Sequence, residues 1–240
     1  MKIFYDVDTQ NDFMNENGAL YVPDAEEIKK NLEKLTNHAA NKYIPIVGSM
    51  DWHFGTEEYK EREGELQKWG GPFPDHCKAY EKGSEKIKET TQFVSDLQVQ
   101  YNPEGKREYR EIAVKRISHE LDSAIDRFEI ARKIGDLGNW SGYSRNSLFF
   151  EKQSYDIFTN PAFEVFLQMA DVKEAIVYGV ATDICVRAAV LGMQERKIQC
   201  YVVEDAIKGV FPDKTEQALE EMAKAGAKFV KTADVLGGKI

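Results

Sequence analysis

The stretch Glu174–Val186, EAIVYGVATDICV, reads as a buried strand running straight into a helix. Residues 174–181 are apolar at nearly every position and rich in β-branched and aromatic side chains, as in a strand covered on both faces. From Thr182 to about Arg196 the apolar positions take helical spacing, and a second β-rich run follows at 199–205. A strand, a helix and a strand in that order form the unit of a parallel sheet.

Working outward, further β-rich runs lie at 2–8, 43–50, 148–154 and 227–231, which makes six in all. Helical patterns separate most of them. Ala25, Ile28, Leu32, Leu35 and Ala39 form one stripe, with Asp24 placed as an N-cap and Glu27 completing a capping box. Pro212 opens another helix that ends before Gly226, and a short one follows Asn160-Pro161. The pattern predicts an α/β domain with a mostly parallel sheet and helices on both faces. In such sheets ligands bind beyond the carboxyl ends of the strands. The residues there are Asp8, Asp51, Lys152 and the segment after Ala181.

Residues 78–148 break the rhythm. They are rich in Lys, Glu and Arg, contain the turn Asn102-Pro103-Glu104-Gly105, and carry an amphipathic stripe of Ile117, Leu121, Ala124, Ile125, Phe128 and Ala131 ending near Gly135. The segment reads as a helical insertion in one domain spanning 1–240.

The chain has 240 residues and is 42% hydrophobic, enough for a substantial core. Its formal net charge of -9 argues against a nucleic-acid binder or an anionic-membrane binder. Cys77, Cys185 and Cys200 are too few and too scattered for a disulfide framework. No signal peptide and no stretch of membrane-spanning length is present. The expectation is a soluble protein of the reducing cytoplasm.

Four constellations carry chemistry. Cys185 falls in the first turn of a helix, where the helix N-terminus favours thiolate and free N–H groups can hold an oxyanion. By itself, a lone cysteine reads first as a buried structural residue. Asp51-Trp52-His53, with His76 downstream, offers two imidazoles and a carboxylate, a common set for zinc, iron or manganese. Two of the four histidines are used here; His38 and His119 lie in helical patterns without a second ligand at metal spacing and read as surface residues. Lys152 sits in a β-rich run and could meet an anion, although an exposed strand lysine is the commoner fate. Asp8 ends the first strand, where a carboxylate can act as general base and acid.

Together these pieces resemble the isochorismatase-like cysteine hydrolases, and within them the nicotinamidases. The resemblance rests on Asp8-Thr9-Gln10-Asn11-Asp12-Phe13, on Asp51-Trp52-His53, on Phe73-Pro74-Asp75-His76-Cys77, on Lys152, and on Gly179-Val180-Ala181-Thr182-Asp183-Ile184-Cys185-Val186. It covers the chain to about residue 77 and again from about 148. It implies a three-layer α/β/α sandwich with a six-stranded, mainly parallel sheet. It also implies a triad of Asp8, Lys152 and Cys185, and an oxyanion hole from the N–H groups of Ala181 and Cys185 beside a cis Val180–Ala181 peptide. One divalent metal ion, zinc first and iron or manganese after it, would sit on Asp51, His53 and His76, with Phe13 and Phe73 flanking the ring of a carboxamide substrate. The implied activity is hydrolysis of nicotinamide to nicotinic acid and ammonia through a thioester, in NAD salvage. The alternatives are another cysteine amidohydrolase or isochorismatase-type hydrolase, and a non-catalytic binding or regulatory protein on the same fold. Neither nucleic acid nor membrane is an expected partner; a homo-oligomer is compatible.

The chain departs from the family pattern in two places. Asp6 stands where the family has an apolar residue, and on a regular strand it shares a face with Asp8. Either a Lys or Arg, from the insertion for example, pairs with it, or local twist lets it reach water. The insertion is longer than the family's usual connection and reads as a lid, an oligomer contact or a surface decoration. A fourth protein ligand to the metal is not evident in the sequence.

Overall fold

The computed structural model describes residues 1–91, 100–101, 107–108, 114–117 and 147–240. Its centre is a seven-stranded sheet in which every pairing is parallel. In chain order its strands are β1 (Lys2–Val7), β2 (Ile46–Asp51), β5 (Val114–Ile117), β6 (Ser147–Lys152), β7 (Glu174–Val180), β8 (Gln199–Lys208) and β9 (Lys228–Val230). A separate antiparallel pair, β3 (Gln100–Tyr101) and β4 (Arg107–Glu108), lies between β2 and β5 in sequence. The spatial order is β5-β6-β2-β1-β7-β8-β9.

Six of these strands are the six runs legible in the sequence. The seventh, β5, falls inside the segment read as a helical insertion. Four residues give too short a period to separate strand from helix. Paired with β6, they cover what would otherwise be an open sheet edge. The rest of the stripe from Leu121 to Ala131, the turn Asn102–Gly105 and His119 lie outside the described residues.

Both faces of the sheet are covered, which is why the central strands are apolar throughout. Tyr5, Val7, Val47, Phe150 and Val177 pack beneath the helices Pro161–Met169 and Arg187–Glu195, through Phe163, Phe166, Val190 and Met193. Phe4, Phe149, Ile176 and Tyr178 pack on the other face beneath the helix Lys29–Asn41, through Leu32, Leu35 and Ala39. Asn160 caps the first of these helices by accepting from Ala162 N at 2.9 Å. Asp24 does not act as a cap: it is left-handed (φ 60°) and its side chain makes no cap bond. Residues 25–28 form a 3-10 turn ahead of the helix proper, and Tyr21 Oη accepts Asp24 N–H at 2.9 Å. His38 is half-buried beside Phe4, and burial lowers its pKa.

β1 has β2 on one side and β7 on the other, and the chain crosses the sheet between β6 and β7. The carboxyl ends of β1, β2, β6 and β7 therefore converge at the topological switch point, where a ligand crevice forms.

Candidate active site

Asp8, Asp51, Lys152 and Ala181 each directly follow or close one of those four strands. Beyond Ala181 the chain makes one wide turn, Thr182–Val186, with Val186 N–H bonded to Ala181 O at 3.0 Å. An i→i+5 bond of this kind recurs at functional sites. Cys185 lies in this turn, and the regular helix starts at Arg187. Asp183, in the same turn, accepts the N–H groups of Val210 and Phe211 at 2.9 and 3.0 Å, which ties the turn to the loop after β8. The Val180–Ala181 peptide is cis.

Lys152 is buried and gathers three partners. Its Nζ lies 2.9 Å from Asp8 Oδ2 and 3.5 Å from Cys185 Sγ, and it pairs closely with Asp51 Oδ1. The ammonium is held by its carboxylates: burial disfavours the charge, yet Asp51 and Asp8 raise its pKa well above the ordinary value. Asp8 also accepts from Ser49 Oγ at 2.7 Å. Burial raises the Asp8 pKa, and Lys152 offsets only part of that rise. Burial likewise pushes the Cys185 thiol well above its usual range, more than Lys152 pulls it down. Burial thus opposes the thiolate that the helix terminus favours. Ligand atoms of Asp8, Asp51 and Cys185 all lie within 4.8 Å of one another.

Beside this group, Asp51, His53, Glu65 and His76 bring one ligand atom each within 4.8 Å of the others. His53 Nε2 is 3.4 Å from Glu65 Oε1, and His76 Nε2 is 3.5 Å from Asp51 Oδ2. His76 Nδ1 donates to Pro74 O at 2.7 Å, which leaves Nε2 to face the cluster. Burial lowers the His76 pKa, but Asp51 raises it further, and the net shift is upward. Burial raises the Asp51 pKa, but Lys152, His76 and His53 together bring it below the carboxylate range. Both ring nitrogens of His53 are buried without a hydrogen-bond partner, which a protein rarely leaves so. Two imidazoles and two carboxylates, one of them aimed at an orphaned ring nitrogen, fit one divalent metal ion.

Three positions to which the sequence assigned no role adjoin the site. Glu65 is the fourth member of the candidate metal cluster; it sits among the acids of Glu57–Glu65 with nothing local to distinguish it. Ser49 orients Asp8. Gln10 holds the main chain of Asp51 at both ends, donating to Asp51 O at 2.7 Å and accepting Asp51 N–H at 2.8 Å. Gln10 was visible within the Asp8–Phe13 motif, but its partner was not. Asp12, in the same motif, accepts Cys77 N–H at 2.7 Å and Ala19 N–H at 3.1 Å, and so ties down the chain beside His76.

A pocket open to solvent joins the two groups. Cys185, Ala181, Ile184 and Val180 line it together with Asp51, Glu65 and His76, and Phe13, Phe73 and Tyr155 are among its other walls. The Phe13 ring lies 5.4 Å from the His76 ring, centroid to centroid. Among the described residues, no Lys or Arg lines the pocket.

Comparison with known proteins agrees with this architecture. Residues 138–234 match the isochorismatase domain model. A nicotinamidase of Escherichia coli (strain K12) is 25% identical over 241 residues, covering 95% of this chain and 93% of that one. The crystal structure of a Pyrococcus horikoshii pyrazinamidase in complex with zinc superposes with a TM-score of 0.64 at 27% identity, covering 96% of this chain and 98% of the other. An N-carbamoylsarcosine amidase from Thermoplasma acidophilum shares the fold, with a TM-score of 0.59 at 18% identity and 96% of each chain covered. In its fold, its matched domain and its relatives, the chain is similar to the isochorismatase-like hydrolases.

Proposed function

We propose that this protein is a nicotinamidase that hydrolyses nicotinamide to nicotinic acid and ammonia in NAD salvage. One observation carries the reading: one largely apolar pocket contains Cys185 together with Asp51, Glu65 and His76 of the metal cluster, and among the described residues no cation lines it. A neutral aromatic amide suits such a pocket. Among the described lining residues an anionic substrate would find no Lys or Arg to meet its carboxylates.

In this reading Asp8 is the base. Its raised pKa gives it the basicity to take the Cys185 proton as sulfur attacks the carboxamide carbon. The oxygen of that carbon gains a negative charge, which the N–H groups of Ala181 and Cys185 stabilise. Asp8 then returns the proton to the nitrogen as the C–N bond breaks, releasing ammonia and leaving a thioester. Water enters, Asp8 takes one of its protons, and collapse of the second tetrahedral species frees the acid and the thiol. Lys152 holds Asp8 in place and balances the charge on sulfur. Phe13 and Phe73 flank the ring. A divalent ion on Asp51, His53, Glu65 and His76, for which we propose zinc, would supply a Lewis-acid contact for the ring nitrogen. The domain is read as one unit over 1–240 with an insertion near 78–148.

The test is ammonia release from nicotinamide by the zinc-loaded protein, its chelator-treated form and Cys185→Ala. Release by the loaded protein alone is expected. Absence of release from the loaded protein would remove the assignment, and full activity in Cys185→Ala would remove the mechanism.

A further inference from the structure

The two-residue spacing of Asp6 and Asp8 places both at the end of β1, yet they serve different faces of the sheet. Asp6 is completely buried. Its Oδ2 lies 2.9 Å from Lys86 Nζ, and the Lys86 side chain is itself almost wholly buried. The ammonium lies 4.3 Å from the centroid of the Phe149 ring, on the face covered by the helix Lys29–Asn41. Thr9 Oγ1 donates to Asp6 Oδ1 at 2.9 Å and pairs with the Thr90 hydroxyl at 2.8 Å. Gly48, the register partner of Asp6 on β2, leaves room for this group; a Cβ there would stand 2.6 Å from the Phe149 ring.

The pair is anchored to the active-site side through backbone. Ile87 N–H donates to Thr9 O at 3.0 Å and Asn11 N–H to Glu85 O at 2.9 Å, and Gln10 and Lys86 form a bridge. Gln10 Nε2 donates to Ser84 O at 2.8 Å as well as to Asp51 O. The segment Ser84–Thr90 thus clips the turn that follows Asp8, and Gln10 spans from that clip to a candidate metal ligand. Burial disfavours both charges, raising the Asp6 pKa and lowering that of Lys86, while each partner draws the other back. Apolar residues of similar volume would avoid that cost, but they would not fix a direction.

We propose that Lys86 is a positioning residue for the metal centre: its ion pair with Asp6 locks the Thr9–Asn11 turn, and Gln10 transmits that position to Asp51. The inference rests on the metal-centre reading above. It accounts for a buried charge pair that the chemistry does not use.

The test compares the full-length wild type with Lys86→Met and with the double variant Asp6→Asn/Lys86→Met, which leaves no buried charge unpaired. Zinc affinity is measured by competition with a chromophoric chelator, and amide hydrogen exchange is followed on the metal-free proteins. Folded variants are expected to bind zinc about 10–100-fold more weakly. Exchange should be faster by about tenfold over 9–14 and 49–53 and unchanged in β7 and β8. A folded variant that binds zinc within about twofold of wild type overturns the proposal, whether or not its exchange changes. Should Lys86→Met not fold, the double variant decides. If the wild type takes up no zinc, the metal reading falls, and the exchange at 49–53 alone judges Lys86: unchanged protection there overturns it.

Discussion

Asp6 and Asp8 stand two residues apart and face opposite sides of the sheet. The cause is one dihedral angle. Asp8 has φ 47°, in the left-handed region, so the alternation of β1 ends at Val7. Asp8 joins Ser49, Lys152 and Cys185 on the side of Tyr5 and Val7, and Asp6 joins Lys86 and Phe149 on the side of Phe4. The like-charge repulsion expected of two carboxylates on one face is thereby avoided. Of the two fates open to Asp6, pairing is the one observed, and its partner lies in the segment read as the start of the insertion.

Asp8→Asn should abolish turnover and leave the fold intact. The amide still accepts from Ser49, and Lys152 keeps Asp51. A fall in kcat of about 10²–10⁴ is expected, from loss of the general base. Steady-state ammonia release and a thermal melt check it. A variant with more than a tenth of wild-type turnover would show that the wrong aspartate has been named.

Asp6→Ala should damage stability first, because it strands a buried ammonium. A loss of about 3–5 kcal/mol is expected in urea unfolding. Asp6→Leu combined with Lys86→Met should recover most of that loss, since no buried charge remains. If the single and double variants unfold at the same urea concentration, the pair is not what the substitution disturbs.

Glu65→Ala should weaken zinc binding by at least about tenfold while the α/β core persists. Glu63→Ala, which removes acceptors for Phe54 N–H (2.5 Å) and Gly55 N–H (2.9 Å), should have the smaller effect, because its Oε1 lies 3.9 Å from His53 and outside the ligand group. Chelator competition ranks the two. Equal losses would mean that Glu65 is no ligand.

The pH profile carries the signs of the two raised pKa values. Asp8 must be ionised to act as base, and burial raises its pKa. The acid limb of kcat/KM should therefore lie above the range of an ordinary carboxylate. Cys185 is raised well above a normal thiol. Its alkylation by iodoacetamide in the metal-free protein should keep accelerating as pH passes the usual thiol value of about 8.5. A plateau near neutral pH would mean a resting thiolate and would relieve Asp8 of the first proton transfer.

The alternation of apolar strands with helical stripes made the α/β class readable from sequence, because a strand buried on both faces and a one-sided helix have different periods. The ordered motifs brought Asp8, Asp51, His53, His76, Lys152 and Cys185 to notice, since strand ends in a parallel sheet share one edge. β5 was not readable, being only four residues long. Asp24 was misread as a cap because its αL conformation leaves no sign in the residue type.

What the sequence determined by itself is the order of the strands along the chain and which strand ends carry chemistry, since these follow from local period and residue type. Tertiary structure alone decided how those residues are shared. Lys152 serves both Asp8 and Asp51, Glu65 joins a cluster whose other members flank it in sequence, and Lys86 reaches back across 80 residues to Asp6. Such pairings have no period, because they depend on where distant backbones are brought together and on a single φ at Asp8.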